Sequence, residues 1–171
     1  MKLRYLLLLS VVLVGCEGEP PKPPSPPKDM VYLKPGPSDA DAPTEFTQTE
    51  SGLKYKILRK SEGKKPTADD TVRVHYRGTF DDGKIFDTSY GRTGSSVSFP
   101  LKGVIKGWTE GLQLIGSGGM IELEIPPDLA YGKEGRGGMP PNATLHFIVE
   151  LLEVKDATAQ GGSPGASAPQ K

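Results

Sequence analysis

Residues 72–87 read VRVHYRGTFDDGKIFD, and the alternation inside them decides the fold. Val72, Val74 and Tyr76 alternate with Arg73, His75 and Arg77. A period of two is that of a strand with one face toward a core and one toward water. Asp82-Gly83 then separates Gly78-Thr79-Phe80 from Ile85-Phe86, and glycine tolerates the positive φ a tight turn needs. A strand, a short turn and a returning strand make an antiparallel pair.

The same period recurs on both sides. Leu53, Tyr55 and Ile57 alternate with Lys54, Lys56 and Leu58; Ile121, Leu123 and Ile125 alternate with Glu122 and Glu124. Leu145, Phe147, Val149 and Leu151 alternate with His146, Ile148, Glu150 and Leu152. Short connections between such runs argue for a mainly antiparallel sheet. One segment departs: Trp108, Leu112 and Ile115 fall at i, i+4 and i+7, an apolar helix face that Gly107 and Gly111 leave weak in isolation. Helix and sheet each need the other's apolar face, so the fold class expected is α+β, one helix across a curved antiparallel sheet.

The ends differ from this middle. Lys2 and Arg4 precede an apolar run from Tyr5 to Val14, too short to span a bilayer as a helix but suited to a secretory signal. It closes on Leu13-Val14-Gly15-Cys16, which resembles a bacterial lipobox, so residues 1–15 are expected to be a signal peptide and Cys16 the lipidated residue. More than one acyl chain would hold the protein stably on a membrane. Glu17 after the cysteine favours the outer membrane, facing the periplasm, by resemblance to proteobacterial sorting. Residues 16–46 read as a tether: prolines at 20, 21, 23, 24, 26 and 27 remove amide donors and favour extended chain. The ordered domain is expected at 47–155, and 156–171 as a polar, unpacked tail.

Composition closes off several chemistries. The 21 Lys+Arg balance 21 Asp+Glu, which leaves no basic stripe for nucleic acid. One cysteine forms no internal disulfide, and with two histidines offers no metal cluster; no cofactor is expected. Gly78 to Lys84 matches GxxxxGK, but Ile85 stands where a hydroxyl should bind magnesium, and two aspartates would repel phosphate. Gly135-Arg136-Gly137-Gly138 lacks the closing glycine of a dinucleotide loop. His75 and His146 read as ordinary strand residues.

What remains is a set of aromatic and branched residues at strand ends, loops and helix: Tyr76, Phe86, Val97, Phe99, Val104, Ile105, Trp108, Tyr131 and Phe147. By periodicity alone Trp108 and Phe147 read as plain core. Five blocks place them differently. Val74-His75-Tyr76-Arg77-Gly78, residues 82–89 (DGKIFDTS), 104–108 (VIKGW), 125–132 (IPPDLAYG) and 140–147 (PPNATLHF) resemble, in order and spacing, the FKBP-type peptidyl-prolyl cis-trans isomerases. The likeness runs from about residue 52 to 154.

The resemblance implies a twisted antiparallel sheet of five or six strands wrapped over one short helix. It implies Tyr76, Phe86, Asp87 and Tyr131 as catalytic residues, and Val97, Phe99, Val104, Ile105, Trp108, Phe147 and Arg92 as substrate-binding. Trp108 would be the floor of a cup open enough for a pyrrolidine ring. The Ile105 amide and Tyr131 hydroxyl would hold substrate carbonyls. Implied partners are proline-containing clients and macrolide inhibitors, and without a helical arm before the domain a monomer is expected. The sequence departs from the family at Val97, often aromatic in relatives, and in the glycine-rich loop 133–139, one residue short. The expected function is a membrane-tethered isomerase of exported proteins; the alternative is a client-binding module with the same cup and little turnover.

Overall fold

The structure, a computed structural model, describes residues 34–91 and 94–157. The signal segment, Cys16, most of the Pro-rich stretch, Arg92 and the tail from residue 158 lie outside the described residues. Within them, seven strands form one sheet: β1 (Thr47–Gln48), β2 (Lys54–Arg59), β3 (Thr71–Thr79), β4 (Ile85–Thr88), β5 (Val97–Pro100), β6 (Met120–Ile125) and β7 (Leu145–Lys155). Helix α1 (Lys106–Leu112) lies between β5 and β6. The order is β1-β2-β6-β7-β3-β4, with β5 also on β3 and every pair antiparallel. Because β4 pairs with Arg77–Thr79 and β5 with Thr71–Val74, two short strands share one margin of β3. Seven strands therefore fill six positions, within the width expected.

Alternation places the core. Val72, Val74 and Tyr76 of β3, Ile121, Leu123 and Ile125 of β6, and Phe147, Val149 and Leu151 of β7 are buried in one cluster with Trp108 and Leu112 of α1. Burying each large apolar side chain contributes about 1.5–3 kcal/mol. The glycines that weaken α1 in isolation let it approach the sheet. A Cβ on Gly107 would lie 2.4 Å from Ile125 Cγ2, and one on Gly111 2.7 Å from Leu123 Cδ2. The helix ends at Leu112, so Ile115 reaches the same core from the turn that follows.

The opposite face is not simply wet. His75 and Glu150, directly paired across β3 and β7, are both buried. The Glu150 carboxylate accepts from the Gly36 N–H at 2.9 Å, the Tyr90 hydroxyl at 2.6 Å and Arg59 Nη2 at 2.8 Å. Arg59 also donates to the Pro37 carbonyl at 3.2 Å, the Asp39 N–H to the Leu58 carbonyl at 2.8 Å, and the Lys60 N–H to Asp39 Oδ2 at 2.7 Å. Residues 34–41, assigned to the tether by composition, thus run against β2 as a strap. Burial alone would push the Glu150 carboxyl up; the hydrogen bonds from Tyr90, Arg59 and the Gly36 amide outweigh it and hold it below the usual carboxylate value.

Candidate active site

Tyr76 sits on the core face of β3 because its position continues the Val72, Val74 alternation. Its ring meets Trp108 edge-on at 5.3 Å, and Phe99 and Phe147 meet the same indole at 5.5 and 5.2 Å, all near perpendicular. Edge-to-face rings at these spacings are the favoured aromatic geometry. Val104 and Ile105 complete this enclosure, and both are fully buried. Ile105 is extended (φ −60°, ψ 148°), and its carbonyl receives the Trp108 and Thr109 N–H groups at 3.0 and 3.2 Å. Its own amide stands at the cap of α1, outside the helical ladder.

The rim comes from β4 and the loop after β6. In a regular strand Phe86 and Asp87 would point to opposite faces. The β3–β4 register shifts here, with Gly78 opposite Asp87 and Thr79 opposite Ile85. The bulge turns both side chains to the site. The Phe86 ring stands 5.5 Å from Phe147 at 88° and 4.8 Å from Phe80. Asp87 Oδ2 accepts the Tyr76 hydroxyl at 2.6 Å. Gly78 makes room for this: a Cβ there would lie 2.6 Å from Phe86 Cζ and 2.8 Å from Phe147 Cε1.

Burial, then the bond to Asp87, pushes the Tyr76 phenol far above its ordinary value, so it remains a protonated donor. Tyr131 follows the short 3-10 turn Pro127–Leu129 and is half-buried. Its phenol is raised by burial, opposed by Arg136 and reinforced by Asp87. Arg136 sits in a turn closed to Met139 at 3.2 and 2.9 Å.

The sequence-derived residues are brought together: Tyr76, Phe86, Asp87, Val97, Phe99, Val104, Ile105, Trp108, Tyr131 and Phe147 share one cluster or its rim. Arg92 lies outside the described residues. The state of the floor differs from expectation. Trp108 is 0% exposed, enclosed by Tyr76, Phe99 and Phe147, so its indole is sealed from solvent. The accessible part of the site is the half-buried Phe86, Asp87, Val97 and Tyr131. Trp108 Nε1 has no hydrogen-bond partner among the described residues. Sequence reading missed Phe80, Gly78 and Arg136 as site components. A glycine inside an alternating strand was the available signal for one of them.

Comparison with known proteins agrees with this geometry. Residues 62–152 match the family model of the FKBP-type peptidyl-prolyl cis-trans isomerases. The chain is 53% identical over 120 residues to the FKBP-type peptidyl-prolyl cis-trans isomerase FkpA of Escherichia coli K12, covering 70% of this chain and 44% of that one. The crystal structure of FkpA from Escherichia coli superposes with a TM-score of 0.65, covering 67% of this chain and 54% of the other. A crystal structure of a peptidyl-prolyl cis-trans isomerase from Pseudomonas syringae gives 0.61 at 37% identity, covering 67% and 84%. The chain thus spans less than half the length of the FkpA sequence it matches.

Proposed function

The chain belongs to the FKBP-type peptidyl-prolyl cis-trans isomerases, and from that premise we propose that it accelerates X–Pro rotation in exported proteins while tethered to a membrane through Cys16. The observation that carries the activity is the enclosure of Trp108 by three perpendicular rings beneath a rim where Tyr76 donates to Asp87. Rotation about the imide is slow because amide resonance sets a barrier of about 18–20 kcal/mol. No bond breaks, so the site needs shape and polarity rather than a nucleophile.

A prolyl ring entering past Phe86 leaves water behind. Resonance separates charge along the imide and water favours that charge, so a dry apolar environment favours the twisted, less polar geometry. Donors placed for the rotated carbonyl add stabilisation specific to the transition state. The Ile105 amide and the Tyr131 hydroxyl are the donors we assign to substrate carbonyls. Tyr76, held by Asp87, keeps the wall rigid. The tethered location rests on the lipobox-like Leu13-Val14-Gly15-Cys16 and the Pro-rich stretch after it. Outer-membrane attachment facing the periplasm, a monomeric state and binding of macrolides belong to the same reading.

A second reading is a client-binding module with the same cup and little turnover. One experiment separates them. Trp108 is the single tryptophan, so its fluorescence reports on this site alone. Proline-limited peptide turnover together with a fluorescence change on peptide binding supports the isomerase. A fluorescence change without turnover supports the second reading, and neither signal overturns both.

A further inference from the structure

Strand β3 has a gap in its pairing. Its outer side is taken by β5 as far as Val74 and by β4 from Arg77, which leaves His75 and Tyr76 between the two. In a continuous ladder Tyr76 would exchange both backbone bonds with the residue after Thr88. Only one of those bonds is conventional: the Ser89 N–H donates to the Tyr76 carbonyl at 3.0 Å. The other is made by a side chain, because the Tyr76 N–H donates to Ser89 Oγ at 2.8 Å. The Thr88 hydroxyl donates to the Tyr76 carbonyl as well, at 3.1 Å.

The Ser89 hydroxyl is itself held. His75 Nδ1 lies 3.1 Å from it, and the buried His75 ring stacks on Tyr90 at 5.3 Å and 23°. The chain therefore leaves the sheet at Ser89, turns Tyr90 over to the far face, and uses the serine side chain where a ladder carbonyl would stand. Two residues earlier the same strand carries Asp87, the acceptor for the Tyr76 hydroxyl. Both ends of Tyr76, main chain and phenol, are thus fixed by one three-residue stretch, Asp87 to Ser89.

We propose that Ser89 is a positioning residue for the isomerase reaction: its hydroxyl, in hydrogen-bond contact with His75, closes the gap in β3 at Tyr76 and aims the phenol at Asp87. This rests on the isomerase reading above. Removing the hydroxyl leaves the Tyr76 N–H without its acceptor and frees the main chain that orients the ring. Residues coupled through one hydrogen-bonded network respond non-additively when changed together.

The test is a double-mutant cycle in the full chain. Ser89→Ala should lower kcat about tenfold with KM nearly unchanged, and the hydroxyl-bearing Ser89→Thr should restore most of it. In a Tyr76→Phe background, Ser89→Ala should change turnover less than about twofold. No loss from Ser89→Ala, or an equal loss in both backgrounds, overturns the proposal. The same cycle read in the unfolding equilibrium needs no substrate. If the parent chain turns over no peptide, the functional reading fails, and this arm decides the positioning role. Coupling of at least about threefold between the two positions supports it, and independent effects overturn it.

Discussion

The hydroxyl of Tyr76 donates to Asp87 Oδ2 at 2.6 Å across a bulged strand pair, joining a buried wall to a half-exposed rim. A hydrogen bond to a charged acceptor contributes about 1.5–3 kcal/mol. Its loss should be felt more in turnover than in folding, because Asp87 keeps access to water. Asp87→Ala and Tyr76→Phe should each reduce kcat/KM about tenfold in a proline-limited peptide assay. Undiminished rates in both would remove this pair from the site.

Gly78 is a steric prediction. Adding one methyl sets a Cβ 2.6 Å from Phe86 and 2.8 Å from Phe147, closer than carbon atoms approach. Both rings must shift, at a cost of about 1–3 kcal/mol for an overpacked position. Urea unfolding of Gly78→Ala should register that loss, and Trp108 emission should change because Phe147 packs on the indole. A variant with parental stability and spectrum would contradict the packing.

Acid should act through Glu150. Its folded pKa is depressed, so its contribution is complete above the ordinary value of 4.5 and is lost as pH falls through the folded value. Glu150→Gln should therefore be less stable than the parent at neutral pH, with the difference shrinking below about pH 4.5. His75, held below its usual value chiefly by burial and raised in part by Glu150, loses stability in the same direction from pH 6.5 downward, and loses more of it in the variant. A constant difference from neutral to acid pH would exclude the carboxylate as its source.

The strap predicts where the folded unit begins. A chain starting at Lys34 keeps the Gly36, Pro37 and Asp39 contacts, whereas one starting at Thr47 loses them and leaves Glu150 short of a donor. The shorter chain should be less stable by about 1–3 kcal/mol in chemical denaturation, the range for a buried group losing a partner. Equal stability of the two would mean that the strap contributes nothing to folding.

Much of the sheet was legible because alternation is a local property: Val72 to Tyr76, Ile121 to Ile125 and Leu145 to Leu151 each carry their own period. What covers a face is not local. His75 and Glu150 read as solvent-facing residues, and they are buried because residues 34–41 and Tyr90 arrive from elsewhere in the chain. The bulge at Phe86 was equally hidden, since one extra residue in a strand pair shows only once its partner is known. Most aromatic residues of the site emerged from the five blocks taken together, whereas the sealing of Trp108 depends on how three rings settle around it. The sum of spacing and residue type gives membership of the cluster but not access to it.

Both margins of the sheet are interrupted. One consists of the two residues Thr47–Gln48, and the other is divided between β4 and β5, four residues each with Ser89 and Tyr90 turning away between them. Among the described residues, an extended segment from another chain finds only short runs of vacant amides and carbonyls to copy.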